Sequence, residues 1–471
     1  MKTRMIRSML LSILICMFAI TGCTTSKKAD GQSKMEKEEA DVVSISNIGG
    51  KDVMPIGGFF GPYVHSYNED VRSFPNYISD EIFKMIADSG TNLIMYTMTD
   101  YGEHPDAMNT YLDLAEKNNL GVFITDKRIS EAYGNREVDK KAVLQQLSNY
   151  CNHPAFCGIY LIDEPYTGYY SPREDGNTIS KYSNIAKYLH DELDMITYGN
   201  LLPIYSVANG AETYERYVAE WCESIHPKML LWDYYICDNG YASNEGYFFN
   251  LSIMKKYAEK YNIPFWTYIQ TGGRWSEIDP YIGTDDYHPN EEEFNWNVNT
   301  CLAYGTKGLV YYTLIQPESE AFFTEKDGDF HTGGLIGCMG NKNQWYSYAQ
   351  NISKHIRVID EVLMNSVNKG VIVHGEQAKQ ELKNNEYVLE SGTFNELQSV
   401  TGDAMVGCFN YNGKTALYVV NYSMEYAQNI QVKFDAKCKI QMVQNAEKSY
   451  ISAKNLTLDM DPGEGVLLVL N

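Results

Sequence analysis

The sequence predicts an α/β protein: a (β/α)₈ TIM barrel followed by a C-terminal all-β sandwich domain. From residue 55, short apolar segments alternate with longer amphipathic ones, eight of each over roughly 310 residues, as in such a barrel. The short segments are apolar throughout, as expected for parallel strands covered on both faces. Beyond about residue 368 the helical period disappears, and short runs of β-formers are separated by Gly, Asn and Asp.

Each predicted barrel strand is a short apolar run, and each predicted helix is the amphipathic stretch that follows it. The predicted strands are 55–63, 92–97, 120–126, 156–162, 200–206, 229–235, 264–270 and 308–314. The predicted helices are 78–87, 106–118, 139–150, 179–193, 212–224, 248–261, 291–304 and 345–364. A doubly wound open sheet is the alternative, but no G-x-G-x-x-G motif follows the first strand to support it.

The first 22 residues have the composition of a bacterial export signal. Lys2, Arg4 and Arg7 make the start positive, and an apolar run of about a dozen residues follows, which is too short to span a bilayer comfortably. The run ends in Ile-Thr-Gly-Cys, which resembles the bacterial lipobox and implies cleavage before Cys23 and lipid attachment there. An ordinary cleaved signal peptide is the alternative. We expect a lipid-anchored, extracytoplasmic protein of the bacterial cell envelope.

The same patterns set the predicted domain boundaries. Residues 1–22 are the lipoprotein signal peptide, and residues 23–50, which are polar and without aromatic residues, are a flexible tether. Residues 51–367 form the barrel, and residues 368–471 form the β-sandwich. The strand-like segments of that last domain are 371–374, 404–411, 415–422, 429–434 and 465–470.

Composition narrows the class of ligand. The formal charge of −22, from 61 acidic and 39 basic residues, argues against nucleic acid and against anionic membranes bound through basic patches. The negative charge does not exclude a sugar as the ligand, and the 38 tyrosines could supply rings that stack on one. There is no Cys-x-x-Cys pair, H-E-x-x-H helix or phosphate-binding glycine loop, so we predict no metal and no cofactor. The eight cysteines after Cys23 are predicted to be mostly buried free thiols, and the oligomeric state is left open.

In a barrel of this type, functional groups lie at the carboxyl ends of the strands. Polar residues follow most of the predicted strands and form the set of candidate catalytic and substrate-binding groups. The set is His65, Asp100, Asp126, Asp163, Glu164, Asp233, Tyr235 and Gln270. Carboxyl groups that crowd one mouth raise one another's pKa, which is what an acid catalyst near neutral pH requires.

The strongest local signal is GIYLIDEP, residues 158–165. Because successive strand residues point to opposite faces, Asp163 and Glu164 can share a direction only if the strand has ended. The segment resembles the fourth strand of clan A glycoside hydrolases, which usually ends Asn-Glu-Pro. The resemblance implies that Glu164 is the general acid/base. Asp163 replaces the clan's asparagine, and an ionised aspartate can accept a hydrogen bond from a sugar hydroxyl but cannot donate one.

Longer stretches resemble bacterial barrel proteins related to family 42 β-galactosidases. They are PFWTYIQ (264–270) and the segment 291–314, which would form the seventh strand, the next helix and the eighth strand. The end of the chain, 458–470, resembles the β-domains that follow such barrels. This resemblance spans most of the predicted barrel and implies a glycosidase with a carbohydrate substrate.

Strand seven departs from the clan. Retaining members place a nucleophilic glutamate there, whereas this chain has Gln270, whose amide cannot act as a carboxylate nucleophile. One explanation is a substitute nucleophile, Glu277 or Asp233, or assistance from the substrate. A second is inversion, with Asp233 or another carboxylate as the base. The third is loss of catalysis, which would leave a surface glycan-binding lipoprotein.

Tyr235 has a second argument in its favour, and two further residues are candidate substrate contacts. The clan often presents a tyrosine at its sixth strand, and by that resemblance Tyr235 is the candidate. Trp275 lies in the polar loop TGGRWSE, where its ring could stack on a sugar, and Arg274 beside it could bind an acidic sugar or a carboxylate. A lyase or aldolase is disfavoured because no lysine ends a strand. We therefore predict a cofactor-free glycosidase.

Overall fold

The structure is a computed structural model that describes residues 50–64, 75–134, 136–167, 178–207, 213–237, 243–272, 289–317, 322–323, 330–331 and 333–471. The predicted signal peptide, Cys23 and nearly all of the predicted tether lie outside the described residues. Four candidate site residues also lie outside them: His65, Arg274, Trp275 and Glu277.

Eight parallel strands form the barrel. They are β1 (Ile56–Gly58), β2 (Leu93–Ile94), β3 (Gly121–Ile124), β4 (Phe156–Asp163), β5 (Thr197–Asn200), β6 (Leu230–Trp232), β7 (Phe265–Gln270) and β8 (Leu309–Tyr312). They pair in the order β5-β4-β3-β2-β1-β8-β7-β6. The two ends of this order meet where the Leu201 N–H donates to the Leu231 carbonyl at 2.9 Å and Leu201 bridges Trp232. The sheet is closed, which confirms the predicted barrel.

Helices alternate with the strands, as predicted. They are α1 (Asp80–Asp88), α2 (Pro105–Lys117), α3 (Lys127–Ser130), α4 (Lys140–Leu147), α5 (Ile179–Lys187), α6 (Tyr214–Ile225), α7 (Asn244–Tyr261), α8 (Glu291–Tyr304) and α9 (Gln344–Met364). Local side chains set where they begin: Ser79, Thr213 and Ser243 each accept a hydrogen bond from the first turn of α1, α6 and α7. A capping box between Asn290 and Glu293 starts α8.

The fifth strand is shifted from its predicted position. The predicted strand covers 200–206, but β5 is Thr197–Asn200, and a short 3₁₀ helix, Ile204–Val207, comes later. Two of the apolar residues that suggested the strand, Leu201 and Leu202, are buried beyond its end. The shift moves Asn200 from the start of the strand to its carboxyl end, and so to the mouth of the barrel.

A short hairpin, β9 (Phe322–Phe323) and β10 (Phe330–His331), follows β8, and an antiparallel sheet follows α9. The sheet contains β11 (Ser366–His374), β12 (Leu397–Thr401), β13 (Ala404–Tyr411), β14 (Lys414–Asn421), β15 (Gln428–Gln444), β16 (Glu447–Met460) and β17 (Gly465–Leu470). Its order is β11-β13-β14-β17-β15-β12, and β16 pairs with β15. The predicted all-β C-terminal domain is confirmed as one sheet, with a short helix, α10 (Glu376–Glu381), that the pattern did not predict.

One face of this sheet packs on the barrel. Met405 and Phe409 of β13 belong to the core of the barrel, while Val406, between them in the chain, belongs to a separate core within the β-domain. A Cβ added at Gly407 would meet the Ala303 carbonyl oxygen of α8 at 2.3 Å, so the two backbones nearly touch. The barrel and the sheet therefore share a continuous packed interface.

Side-chain hydrogen bonds add to that interface. The buried Trp296 indole N–H donates to the Tyr422 carbonyl at 2.9 Å. The buried Lys307 ammonium donates to the Ser366 carbonyl at 2.7 Å, where the chain passes from α9 into β11. These bonds fix the sheet against the barrel at both α8 and α9.

The remaining expectations concern membranes and thiols. Within the described ranges, no helix has both the length and the apolar character needed to cross a membrane. All eight cysteines from Cys151 to Cys438 are described and free, and six of them are buried, which confirms the prediction of mostly buried thiols.

We expect Gly407→Ala to lower the free energy of unfolding by about 1–3 kcal/mol, because the added methyl group overlaps the α8 backbone. Urea-induced unfolding followed by circular dichroism measures this change. Gln431→Ala, at an exposed position on the same sheet, is the control and should change the free energy by less than about 0.5 kcal/mol. Equal stability of Gly407→Ala and wild type would contradict the close packing of β13 on α8.

Candidate active site

The fourth strand delivers two carboxyl groups to the mouth of the barrel. β4 ends at Asp163, and Glu164 follows with a left-handed φ of 46°, so the alternation of the strand stops between them. The Glu164 N–H donates to the Asn200 carbonyl at 2.9 Å, which fixes this turn against β5. Both side chains are half-buried. Because the strand ends between these two residues, their carboxyls need not point to opposite faces and can share the mouth of the barrel.

A third carboxyl lies directly after β6. Asp233 is 6 % exposed, and its Oδ1 has no hydrogen-bond partner among the described residues. Burial raises the pKa of Asp233 well above its ordinary value, and the negative charges of Glu164 and Asp163 raise it further. The protonation of Asp233 after β6 therefore depends on the charges of the carboxyls at the end of β4.

Asn200 links the strand ends that carry these carboxyls. Its Nδ2 donates to Asp163 Oδ1 at 3.1 Å. A hydrogen bond from its side chain also offsets part of the rise in the Asp233 pKa. Our sequence reasoning missed Asn200 because the predicted fifth strand began there. The signal that could have located it is the segment Thr-Tyr-Gly-Asn, a short β-forming run with its amide at the carboxyl end.

Beneath the carboxyls lies a layer of rings that we call the aromatic floor. It consists of Phe59, Tyr96, Tyr160, Tyr268 and Tyr312. The Phe59 ring is central, with centroid distances of 5.0 Å to Tyr96, 5.6 Å to Tyr268 and 6.1 Å to Tyr312. Tyr96 and Tyr160 are 4.7 Å apart. Phe59 and Tyr268 are buried, while the other three are half-buried and close to the mouth.

The aromatic floor and the carboxyls influence one another. Burial, followed by the charge of Asp163, raises the pKa of Tyr96 to about 12. The same two causes, in the same order, raise the pKa of Tyr160 well above its ordinary value. These phenols therefore stay neutral at physiological pH, as rings with a polar edge next to negative charge.

Tyr235, the predicted sixth-strand tyrosine, lies at the same place. Its ring centroid is 5.1 Å from that of Tyr312, so it extends the aromatic floor toward β6. Burial raises the pKa of its hydroxyl well above the ordinary value, and the charge of Asp233 raises it further. A hydroxyl that keeps its proton can donate a hydrogen bond to a ligand or to a carboxylate.

Gln270, at the end of β7, is 4 % exposed and is held by backbone groups. Its Oε1 accepts from the Cys237 N–H at 3.1 Å. Its Nε2 donates to the Cys237 carbonyl at 2.8 Å and to the Gly272 carbonyl at 2.9 Å. The amide predicted to contact substrate is thus engaged by the loops after β6 and β7.

Asp100 and Asp126 are buried, and donors from the protein itself occupy their carboxyls. Asp100 accepts from two backbone N–H groups, at 3.0 and 2.7 Å. Asp126 accepts from the Arg128 guanidinium at 2.9 and 2.7 Å and from the Tyr150 hydroxyl at 3.0 Å. Through these contacts, Asp100 and Asp126 hold the loops after β2 and β3.

One group among the described residues has the composition of a metal site. Asp113, Glu116 and His153 offer ligand atoms within 4.8 Å of one another, on α2 and the loop before β4. The His153 Nδ1 accepts from the Ala155 N–H at 3.2 Å, so a neutral ring carries its proton on Nε2, which is 3.2 Å from Asp113. A metal would need the lone pair of that nitrogen, so we assign the group to a surface hydrogen bond.

Comparison with known proteins supports the fold. No protein-family model and no curated protein matches the chain. A family 5 glycoside hydrolase from Bacteroides vulgatus matches with a TM-score of 0.50 and 11 % identity over 88 % of each chain. A β-galactosidase from Marinomonas matches at 0.44 and 10 %, over 70 % of this chain and 65 % of the other. A family 30 xylanase from Clostridium acetobutylicum matches at 0.40 and 11 %, over 89 % and 100 %.

The match to the family 5 glycoside hydrolase shows that this chain shares the fold of that enzyme. That agrees with the resemblance of β4 to clan A. The narrower resemblance to family 42 stays a prediction. At such low identities the shared fold assigns no activity, so the function has to come from the residues of the mouth.

The raised pKa of Asp233 predicts a pH-dependent stability. Folded protein keeps the Asp233 proton above its ordinary pKa of 3.8, where the unfolded chain has released it, so this group lowers the free energy of unfolding as pH rises. Asp233→Asn carries no charge at any pH. We therefore expect the variant to gain stability over wild type as the pH rises above about 4, by at most about 1.4 kcal/mol per pH unit.

Urea-induced unfolding of both proteins at several pH values measures that difference. Asp435→Asn, which removes an exposed carboxyl from the β-domain, is the matched control. A difference between Asp233→Asn and wild type that stays constant over the pH range would contradict the burial of a protonated Asp233.

Proposed function

We propose that the chain is a glycoside hydrolase that acts on a glycan or oligosaccharide at the cell envelope, with Glu164 as its general acid/base. The observation that carries this proposal is the convergence of Asp163, Glu164 and Asp233 at the mouth of the barrel, above the aromatic floor. The fold shared with a family 5 glycoside hydrolase and the resemblance of β4 to clan A support it.

Hydrolysis of a glycosidic bond needs one protonated and one ionised carboxyl in the same site. The burial of Asp233 beside Glu164 favours that state, because two carboxyls that interact strongly release their protons in separate steps. Between the two steps the pair holds a single proton. In the free protein this proton rests on Asp233. For hydrolysis the proton passes to Glu164, which delivers it to the leaving oxygen, and Asp233, ionised by that transfer, acts on the anomeric carbon or on the attacking water.

The aromatic floor supplies the binding surface. Sugar rings present C–H groups that carry a slight positive charge, and these pack favourably on the negative faces of aromatic rings. Tyr96, Tyr160 and Tyr312 are half-buried and present such rings near the carboxyls. A neutral Tyr235 hydroxyl adds a donor for a sugar hydroxyl. Asp163, held by Asn200, adds an acceptor.

Glycan binding without hydrolysis is the second candidate function, and Gln270 is the observation that favours it. The position that holds the nucleophile in retaining clan A enzymes is an amide here, and its hydrogen bonds go to backbone groups. A protein with this arrangement could retain the sugar-binding surface after losing turnover. Hydrolysis measurements on wild type separate the two candidates.

We expect wild type to hydrolyse at least one member of a broad panel of nitrophenyl glycosides and oligosaccharides. Glu164→Gln keeps the shape of the side chain but cannot transfer the proton, so kcat should fall by about 10²–10⁴-fold while glycan binding persists. Proton NMR of the first product gives its anomeric configuration, which assigns Asp233 as nucleophile if configuration is retained and as base if it is inverted.

Glu223→Gln is the matched control for Glu164→Gln, because Glu223 lies on the exposed side of α6 and pairs only with the exposed Arg216 at 3.1 Å among the contacts described. Its kcat should equal that of wild type. Absence of hydrolysis by wild type on the whole panel, together with measurable glycan binding, would replace the enzyme by the binding protein.

The proposed location rests on the lipobox resemblance at Cys23. We expect radiolabelled palmitate fed to a bacterial expression host to label wild type and not Cys23→Ser, because the thiol receives the lipid. Cell fractionation should place wild type with the membranes. An unlabelled wild-type protein that is found only in the soluble fraction would contradict the anchor and leave the ordinary signal peptide.

A further inference from the structure

The segment that carries Asp233 is fixed at its start, where it leaves β6, and its other end must be held by further contacts. β6 ends at Trp232, where the bridge to Leu201 closes the barrel. The described chain then runs through Asp233 and Tyr235 to Cys237 outside any helix or strand. A loop of this kind keeps a side chain in position only when other groups bind its backbone.

Gln270 provides that anchor. Both backbone groups of Cys237 are hydrogen-bonded to the Gln270 amide, the N–H at 3.1 Å and the carbonyl at 2.8 Å. The second amide proton goes to the Gly272 carbonyl at 2.9 Å. One side chain therefore ties the segment after β6 to the end of β7. Burial strengthens these hydrogen bonds: Gln270 is 4 % exposed, so water competes poorly for its donor and acceptor groups.

We propose that Gln270 is a positioning residue that fixes the segment 233–237, so that strand seven orients Asp233 and Tyr235 instead of supplying a nucleophile. The proposal rests on the proposed function, since it gives strand seven a part in the same hydrolysis. Gln270 does not touch the substrate in this scheme. It acts through the backbone of Cys237, four residues beyond Asp233.

The chemistry of the amide explains why glutamate is not a neutral exchange here. A glutamine offers two donor protons and one acceptor oxygen, and the two carbonyls and one N–H around Gln270 match that set. An ionised glutamate accepts only, so it would leave the Cys237 and Gly272 carbonyls without donors and add a further negative charge to the mouth. Leucine would remove all three hydrogen bonds.

The test compares Gln270→Glu and Gln270→Leu with wild type by hydrolysis and by hydrogen exchange. If Gln270 positions Asp233, Gln270→Glu should lower kcat by about 10²-fold with a smaller change in KM, because a displaced catalytic group slows chemistry more than binding. In both variants the amides of 233–237 should exchange at least about tenfold faster than in wild type. Activity of Gln270→Glu equal to or above wild type would overturn the proposal, since it would mean that the carboxylate works as a nucleophile.

Gly407→Ala is the control for general destabilisation, because it disturbs the packing of β13 on α8. The nearest atoms that the added methyl would meet belong to Ala303 and Phe409, and none belongs to Gln270 or Cys237. The variant should leave exchange of 233–237 at the wild-type rate under native conditions. If the amides of 233–237 also exchange at the wild-type rate in both Gln270 variants, Gln270 does not fix this segment and the proposal fails. The exchange experiment needs no turnover, so it decides the role of Gln270 even if the glycoside panel shows that wild type is not a hydrolase.

Discussion

The burial of the Asp233 carboxyl beside Glu164 and Asp163 sets the chemistry of this barrel. In water three such groups would all be ionised at neutral pH, but a charge that is removed from water next to two like charges is strongly disfavoured. Asp233 has 6 % of its surface exposed, so the proton is retained there far more readily than on a surface carboxyl. The other features of the mouth either create this burial or make use of it.

The carboxyl ends of two neighbouring strands, β5 and β6, create the burial of Asp233. The closure of the sheet between β5 and β6 brings Asn200 and Asp233 to the same edge, and the Asn200 amide connects that edge to Asp163 of β4 at 3.1 Å. On the other side, Gln270 fixes the backbone beyond Asp233. The aromatic floor beneath is the proposed sugar-binding surface. Its phenols Tyr96 and Tyr160 stay neutral, which leaves the negative charge to the carboxyls.

Much of this could be predicted from the sequence, because the signals are local. The eight apolar runs predict the barrel since parallel strands are buried on both faces. The segment 158–165 places Asp163 and Glu164 at a strand end because proline stops the strand after them. Asp233 follows an equally clear apolar run.

The rest depends on partners distant in the chain. Asn200 was missed because a shift of the strand start by three residues, from 200 to Thr197, reverses which end of β5 it occupies. Asp126 has the same strand-end signature as Asp233, but Arg128 and Tyr150 occupy its carboxyl. No sequence pattern shows that the Gln270 amide meets Cys237, 33 positions away in the chain. Whether a strand-end polar group faces a ligand or a loop is decided by packing.

The protonation state of Asp233 at neutral pH tests the central claim most directly. Infrared spectra of wild type and Asp233→Asn with ¹³C-labelled aspartate carboxyls can be subtracted at pH 7, which cancels the aspartates that the two proteins share. We expect the difference spectrum to contain the band of a protonated carboxylic acid from wild type, and to lose it only well above the ordinary titration range of aspartate. A difference spectrum that shows only an ionised carboxylate at pH 7 would contradict the claim that the mouth holds a proton on this buried pair.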